Sequence, residues 1–184
     1  MSIKRILFIT GIPGAGKTTL AKIVAKMLGC PHIDIDDHIR KLLGRVDTSV
    51  NTHSGINKEI GKLGHKMLFE VAEFWATFRP TDQVIFTVPM IVSIRQELLG
   101  DFCQRFQNQT QVVTLTLDHD TDEEVARRLA DRKALGYVGG VDTIGEYRRV
   151  KDCMVPMSVP HTIVDTSPPR SIEICAQEVL GLLK

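Results

Sequence analysis

The chain has 184 residues, 43% of them hydrophobic and 24% charged, which is the size and mixture of one compact domain with no room for a second. Its 23 basic and 22 acidic residues leave a formal charge of +1, so there is no basic excess for a nucleic acid or an anionic membrane, and a small-molecule partner is favoured. Cys30, Cys103, Cys153 and Cys175 lie far apart without a C-x-x-C spacing, a pattern that builds neither a disulfide framework nor a zinc site.

In chain order, the first apolar run spans residues 4 to 10 of MSIKRILFIT. It lacks a small-residue cleavage site and leads straight into a glycine-rich loop, so it reads as a strand and not a leader. No segment approaches the roughly 20 uninterrupted apolar residues of a membrane helix, and the expected location is the cytoplasm. Residues 11 to 18 then read Gly-Ile-Pro-Gly-Ala-Gly-Lys-Thr, a full match to G-x-x-x-x-G-K-[ST] between a strand and an amphipathic helix predicted over 17 to 28. In this pattern Gly11, Gly14 and Gly16 let consecutive backbone N–H groups converge on phosphate oxygens without side-chain obstruction, Pro13 and Ala15 complete the nucleotide-binding loop, and the helix N-terminus adds a favourable dipole. Lys17 supplies charge to the β and γ phosphates, the Thr18 hydroxyl suits Mg²⁺, and Thr19, already a helix residue, closes the nucleotide-binding stretch. The expected cofactors are ATP and Mg²⁺.

A weaker strand is expected at His32 to Ile35, where Ile33 and Ile35 share one face and Asp34 and Asp36 the other. At the edge of a parallel sheet that carries the phosphate loop, Asp34 suits the metal's water shell and Asp36 suits orienting or deprotonating an acceptor hydroxyl. The alternative is that Asp36 or Asp37 caps a helix over 37 to 43. Polar residues 44 to 55 follow, then a long helical pattern over 56 to 77 whose Phe69, Phe74, Trp75 and Phe78 are expected to pack the core.

The strand at 84 to 88 runs into Thr87-Val88-Pro89-Met90 without an acidic residue. In the helix at 91 to 106, Arg95 is either a contact for an anionic acceptor or a surface arginine beside Glu97. After a strand at 112 to 117, Thr121-x-x-Glu124 is a capping box opening a helix at 121 to 135 that carries Arg127, Arg128 and Arg132. These arginines are either a phosphate clamp or a solvated face on which Glu124 pairs with Arg128. The glycine-rich stretch 136 to 145 is, with 44 to 55, a candidate lid. A last strand at 162 to 164 leads through Asp165-Thr-Ser-Pro-Pro169 to a helix at 171 to 183, and Pro168 either flanks a base or starts that helix. Strand and helix alternate throughout, which implies right-handed crossovers and a three-layer α/β domain with a parallel sheet.

GIPGAGKTT at 11 to 19, the Asp34-x-Asp36 pair, the helix with Arg128 and Arg132, and Val-Asp-Thr-Ser-Pro-Pro at 164 to 169 together resemble the P-loop small-molecule and nucleoside monophosphate kinase superfamily. The resemblance is to its shikimate kinase and gluconate kinase branch and covers nearly the whole chain. It implies a P-loop fold with five parallel strands ordered 2-3-1-4-5, an acceptor-binding region over 36 to 80 and a small lid over 132 to 147. It also implies that Arg128 and Pro168 sandwich the adenine, Arg132 reaches the phosphates, and Asp34 holds Mg²⁺. The function expected is transfer of the ATP γ-phosphoryl group to an acceptor hydroxyl or phosphate by a monomer or homodimer, with a nucleoside or nucleoside monophosphate acceptor as an alternative. A nucleotide-dependent switch or assembly ATPase is the reading from another class.

Overall fold

The structure, a computed structural model, describes residues 5–34, 56–79, 82–89, 93–135 and 141–183, with the side chains of 56–61 and 93–95 outside the described set. The helix expected over 37–43 and both Asp36 and Asp37 lie outside it.

Five strands, β1 (Ile6–Gly11), β2 (His32–Asp34), β3 (Val84–Thr87), β4 (Thr110–Thr116) and β5 (Thr162–Asp165), form one sheet. It is parallel in every pair and ordered β2-β3-β1-β4-β5, as the resemblance implied. The helices are α1 (Lys17–Leu28), α2 (Ile56–Phe78), α3 (Ser93–Phe106), α4 (Asp122–Ala134), α5 (Ile144–Asp152) and α6 (Ile172–Gly181). All six residues of β1 are buried, as expected for a central parallel strand covered on both faces.

Alternation along β1 divides the core in two. Leu7 and Ile9 point into a cluster with Leu20 and Val24 of α1 and Cys175 and Val179 of α6. Ile6 and Phe8 point the other way, to Leu68, Phe69 and Ala72 of α2 and Leu99 and Phe102 of α3. There Phe8 stacks on Phe86 at 5.3 Å between centroids and meets Phe102 edge-on, contacts worth about 1 kcal/mol each beyond burial.

Two expectations need correction. Phe69 is core and Trp75 packs partly against it, its indole Nε1 donating to the Asp82 carbonyl, but Phe74 and Phe78 are exposed. Residues 144 to 152, for which no element was expected, form α5, fastened by a complete capping box between Thr143 and Glu146. Tyr147 of α5 is buried in the first cluster. Arg148 and Lys151 tie α5 to Asp120 just before α4; although burial pushes the Asp120 carboxyl up, these two cations hold it below its usual value. All four cysteines are free thiols, and no described helix is long and apolar enough to cross a membrane.

Candidate functional site

The carboxyl ends of β1, β2, β3 and β5 bring Gly11, Asp34, Thr87 and Asp165 to one edge of the sheet, where parallel α/β folds bind ligands. From β1 the chain turns through residues 12–16 into α1. Gly11 has φ 137°, and a Cβ there would stand 2.3 Å from the Leu115 carbonyl oxygen on the neighbouring strand, so only glycine lets the loop leave the sheet at this point. Gly16, at φ 84°, is the N-cap of α1 and provides no side-chain cap, and the first turn holds no acidic residue. The first amides of α1 therefore keep their positive potential for an anionic ligand. Lys17 folds back over the loop, its Nζ donating to the Gly11 and Ile12 carbonyls at 3.0 and 2.8 Å.

Thr18 donates its hydroxyl to the Asp34 carboxylate at 2.7 Å, although 16 residues separate them. Asp34 is buried at the end of β2, in register with Thr87 of β3. A hydroxyl beside a carboxylate is an all-oxygen donor set suited to Mg²⁺, which takes few protein ligands and completes its shell with water and phosphate oxygens. Among the described residues there is no cluster of three or more His, Cys, Asp or Glu that could hold a metal by itself.

On the other flank, Arg128 of α4 lies against the loop and not on a solvated face. It donates to the Gly14 carbonyl at 3.1 Å and, through its second terminal nitrogen, to the Thr166 carbonyl at 2.5 Å. Its Nε donates to Glu124 at 2.6 Å, and the two side chains are only 16% and 12% exposed. Hydrogen bonding from Arg127, opposed by burial and reinforced by Arg128, lowers the Glu124 pKa to about 2. Glu124 also explains why the expected capping box is only half formed: Thr121 accepts from the Glu124 amide, while the Glu124 carboxylate is engaged by the arginines. Arg127 itself is an exposed residue paired with Glu124 and Asp131.

Thr166 was not singled out in the sequence. Its hydroxyl, buried, lies 3.1 Å from the Ala15 carbonyl and 2.9 Å from that of Thr116, and accepts from Arg128. Just before it, Asp165 receives the Ser167 amide and hydroxyl and the Asp118 amide. Burial pushes the Asp165 carboxyl up, but these donors leave it below its ordinary value. The turn carrying Pro168, an exposed residue, is thus fixed to the phosphate loop through Thr166.

The predicted residues from Gly11 to Thr19 together with Asp34, Arg128 and the Pro168 turn therefore gather at one edge, with Thr19 exposed. Arg132, in the last turn of α4, donates to the Val141 carbonyl at 3.1 Å. Asp36 and the Arg95 side chain lie outside the described residues.

A glycine loop that delivers an uncapped helix to the ligand edge of a parallel sheet, with a hydroxyl–carboxylate pair beside it, defines a phosphate-binding P-loop protein. Residues 10–139 match the AAA_17 family, an AAA domain, and the chain belongs to this family. It is 43% identical over 70 residues to a shikimate kinase of Bacteroides thetaiotaomicron, a match that takes in 37% of this chain and 38% of that one. The chain thus aligns with well under half the length of that curated relative. Among solved structures it is similar to a putative kinase from Chloroflexus aurantiacus, with a TM-score of 0.72, 18% identity and coverage of 99% and 100% of the two chains. It is also similar to a gluconokinase from Sinorhizobium meliloti, with a TM-score of 0.62, 13% identity and coverage of 100% and 93%. At these identities the structural likeness speaks for the fold.

Proposed function

We propose that the protein is an ATP-dependent kinase that transfers the γ-phosphoryl group to a hydroxyl or phosphate of a small molecule. The observation that carries this reading is the Thr18–Asp34 hydrogen bond beside the uncapped start of α1. It joins the phosphate loop to the end of β2, the position at which the resembling small kinases keep their metal-side carboxylate. The relatives named as shikimate kinase and gluconokinase support the same class.

In this reading Lys17 exchanges the Gly11 and Ile12 carbonyls, its present acceptors, for β and γ phosphate oxygens. Thr18 and Asp34 hold Mg²⁺, which supplies charge neutralisation for the transferring group. Arg128 and the Pro168 turn form the adenine side of the site, and Arg132 reaches the phosphates from the end of α4. Asp36, two residues beyond Asp34, orients or deprotonates the acceptor hydroxyl, and Arg95 meets an anionic group on the acceptor. Catalysis is then a matter of positioning and electrostatics more than covalent chemistry.

The test is Mg-ATP consumption by the purified protein against shikimate, sugar acids, nucleosides, nucleotides and hydroxylated antibiotics, with Lys17→Ala as control. Acceptor-dependent ADP formation, lost in the control, is the expected result. Nucleotide binding with no stimulation by any acceptor refutes the kinase reading in favour of a switch or assembly ATPase.

A further inference from the structure

The longest described helix, α2, has a second apolar face that nothing in the described fold covers. Its inner face, with Leu68, Phe69, Ala72 and Ala76, is buried against β1 and α3. On the opposite side Leu63, Met67, Val71, Phe74 and Phe78 recur at intervals of four, four, three and four residues. That spacing puts all five in one stripe along about four turns. Each is exposed, Phe78 most at 68%, and the Phe74 and Phe78 rings meet at a tilt with centroids 5.0 Å apart. An amphipathic helix needs one apolar face; a helix apolar on two opposite sides has two surfaces to bury.

The stripe is flanked by an ordered run of charge. Lys62 and Lys66 come first, and Glu70 and Glu73 follow, all on one side of it. Such a polar arrangement is self-complementary only when two copies run antiparallel. A two-fold axis near residue 68 sets Lys66 opposite the other copy's Glu70 on both sides of the axis and opposes the helix dipoles, while Glu73 is held by Arg105 of its own chain. A parallel pairing would place the two charged flanks on opposite sides of the seam, where they could not pair. The five side chains expose on the order of 500 Å², at the upper end of what a monomer leaves in one apolar patch. Two copies would bury about 1,000 Å² before the flanks are counted, which reaches the floor for a specific interface.

The geometry points to a homodimer in which the Leu63–Phe78 stripe of α2 packs antiparallel on its counterpart, with its register set by the Lys66–Glu70 pairs. This interface uses none of the phosphate-loop residues.

Sedimentation velocity of the full chain is expected to give twice the monomer mass at concentrations on the order of 10 μM, within the range of modest protein–protein affinities. The double variant Phe74→Glu/Phe78→Glu, altered only at exposed positions, is expected to sediment as a monomer with an unchanged circular dichroism spectrum. Lys66→Glu and Glu70→Lys, each set against a like charge in its own dimer, should weaken self-association about tenfold or more. Mixed one to one, these two variants should recover dimer, because each then meets an opposite charge. A wild-type chain that stays monomeric at high concentration overturns the proposal and leaves the stripe to another segment of this chain or to a different protein. A dimer that survives Phe74→Glu/Phe78→Glu overturns it in favour of another face, and failure of the mixture to recover dimer overturns the antiparallel register.

Discussion

Replacing Glu124 by glutamine removes the charge that holds Arg128 against the phosphate loop while keeping the side chain's size. The folded protein holds this carboxyl at about 2, against 4.5 for an unperturbed group. Because the folded value is the lower one, the unfolded chain binds the proton more readily. Glu124 therefore contributes stability that is fully present above about pH 4.5 and is lost as pH falls through about 2. Taken whole, the shift corresponds to about 3 kcal/mol. Its largest cause is the hydrogen bond from Arg127, whose side chain is 57% exposed, and solvent screening of that share reduces the contribution to about 1–2 kcal/mol. Urea unfolding of wild type and Glu124→Gln should show a gap of that size at pH 7, shrinking to less than half of it by about pH 3. The variant should also raise the apparent KM for ATP, because Arg128 is no longer held at the Gly14 carbonyl. A gap that keeps its full size at pH 3 refutes this account, since lost packing or a lost neutral hydrogen bond would not titrate there.

Gly11→Ala forces a Cβ into the Leu115 carbonyl oxygen at a backbone angle that alanine resists. It should cost about 3 kcal/mol or more and lower Tm by roughly 6–12 °C; a melting curve like that of wild type would show that the loop relaxes without cost. Asp36→Asn should reduce turnover by about 10²–10⁴ with the KM for ATP little changed, and undiminished transfer would return Asp36 to a helix cap. Arg132→Ala should lower kcat and leave Tm within about 1 °C of wild type; an unchanged rate with a lower Tm would restrict Arg132 to tying α4 to Val141.

The sheet was legible because parallel strands buried on both faces tend to be continuous apolar runs; β1 and β3 are such runs, and β4 keeps Val112, Val113 and Leu115 among its threonines. β2 was the faintest, and it is a three-residue edge strand with only Asp34 buried. The phosphate loop was legible because its chemistry dictates residue identity: glycine where a Cβ would strike Leu115, and no cap at the start of α1. The other half of the site was not. Arg128 reaches Gly14 across 114 residues and Thr166 across 38, whereas locally it shows only an i,i+4 partner, the commonest arrangement on a solvated helix. Thr166 sits within the Val164–Pro169 stretch, but nothing in that stretch marks its hydroxyl, whose role arises only once the β5 turn is folded against residue 15. α5 was missed because it is short and follows directly on a glycine-rich stretch, which obscured the spacing of three between Ile144, Tyr147 and Val150. Its Thr143-x-x-Glu146 box was the available signal.

The expectation for α2 failed for a different reason. Helical spacing reports that apolar residues share a face, but not whether that face meets the protein's own sheet. In α2 two such faces lie on opposite sides of the same 23 residues, and a count of aromatic residues merges them. Phe69 belongs to the face that closes over Phe8 and Phe102, so its burial follows from folding of the chain. Phe74 and Phe78 belong to the other face and are exposed in the single chain; in the proposed dimer their burial depends on protein concentration. Thermal stability should therefore rise with protein concentration in the wild type and be independent of it in Phe74→Glu/Phe78→Glu. A concentration-independent Tm in both would mean that the exposed stripe contributes nothing to the folded state in solution.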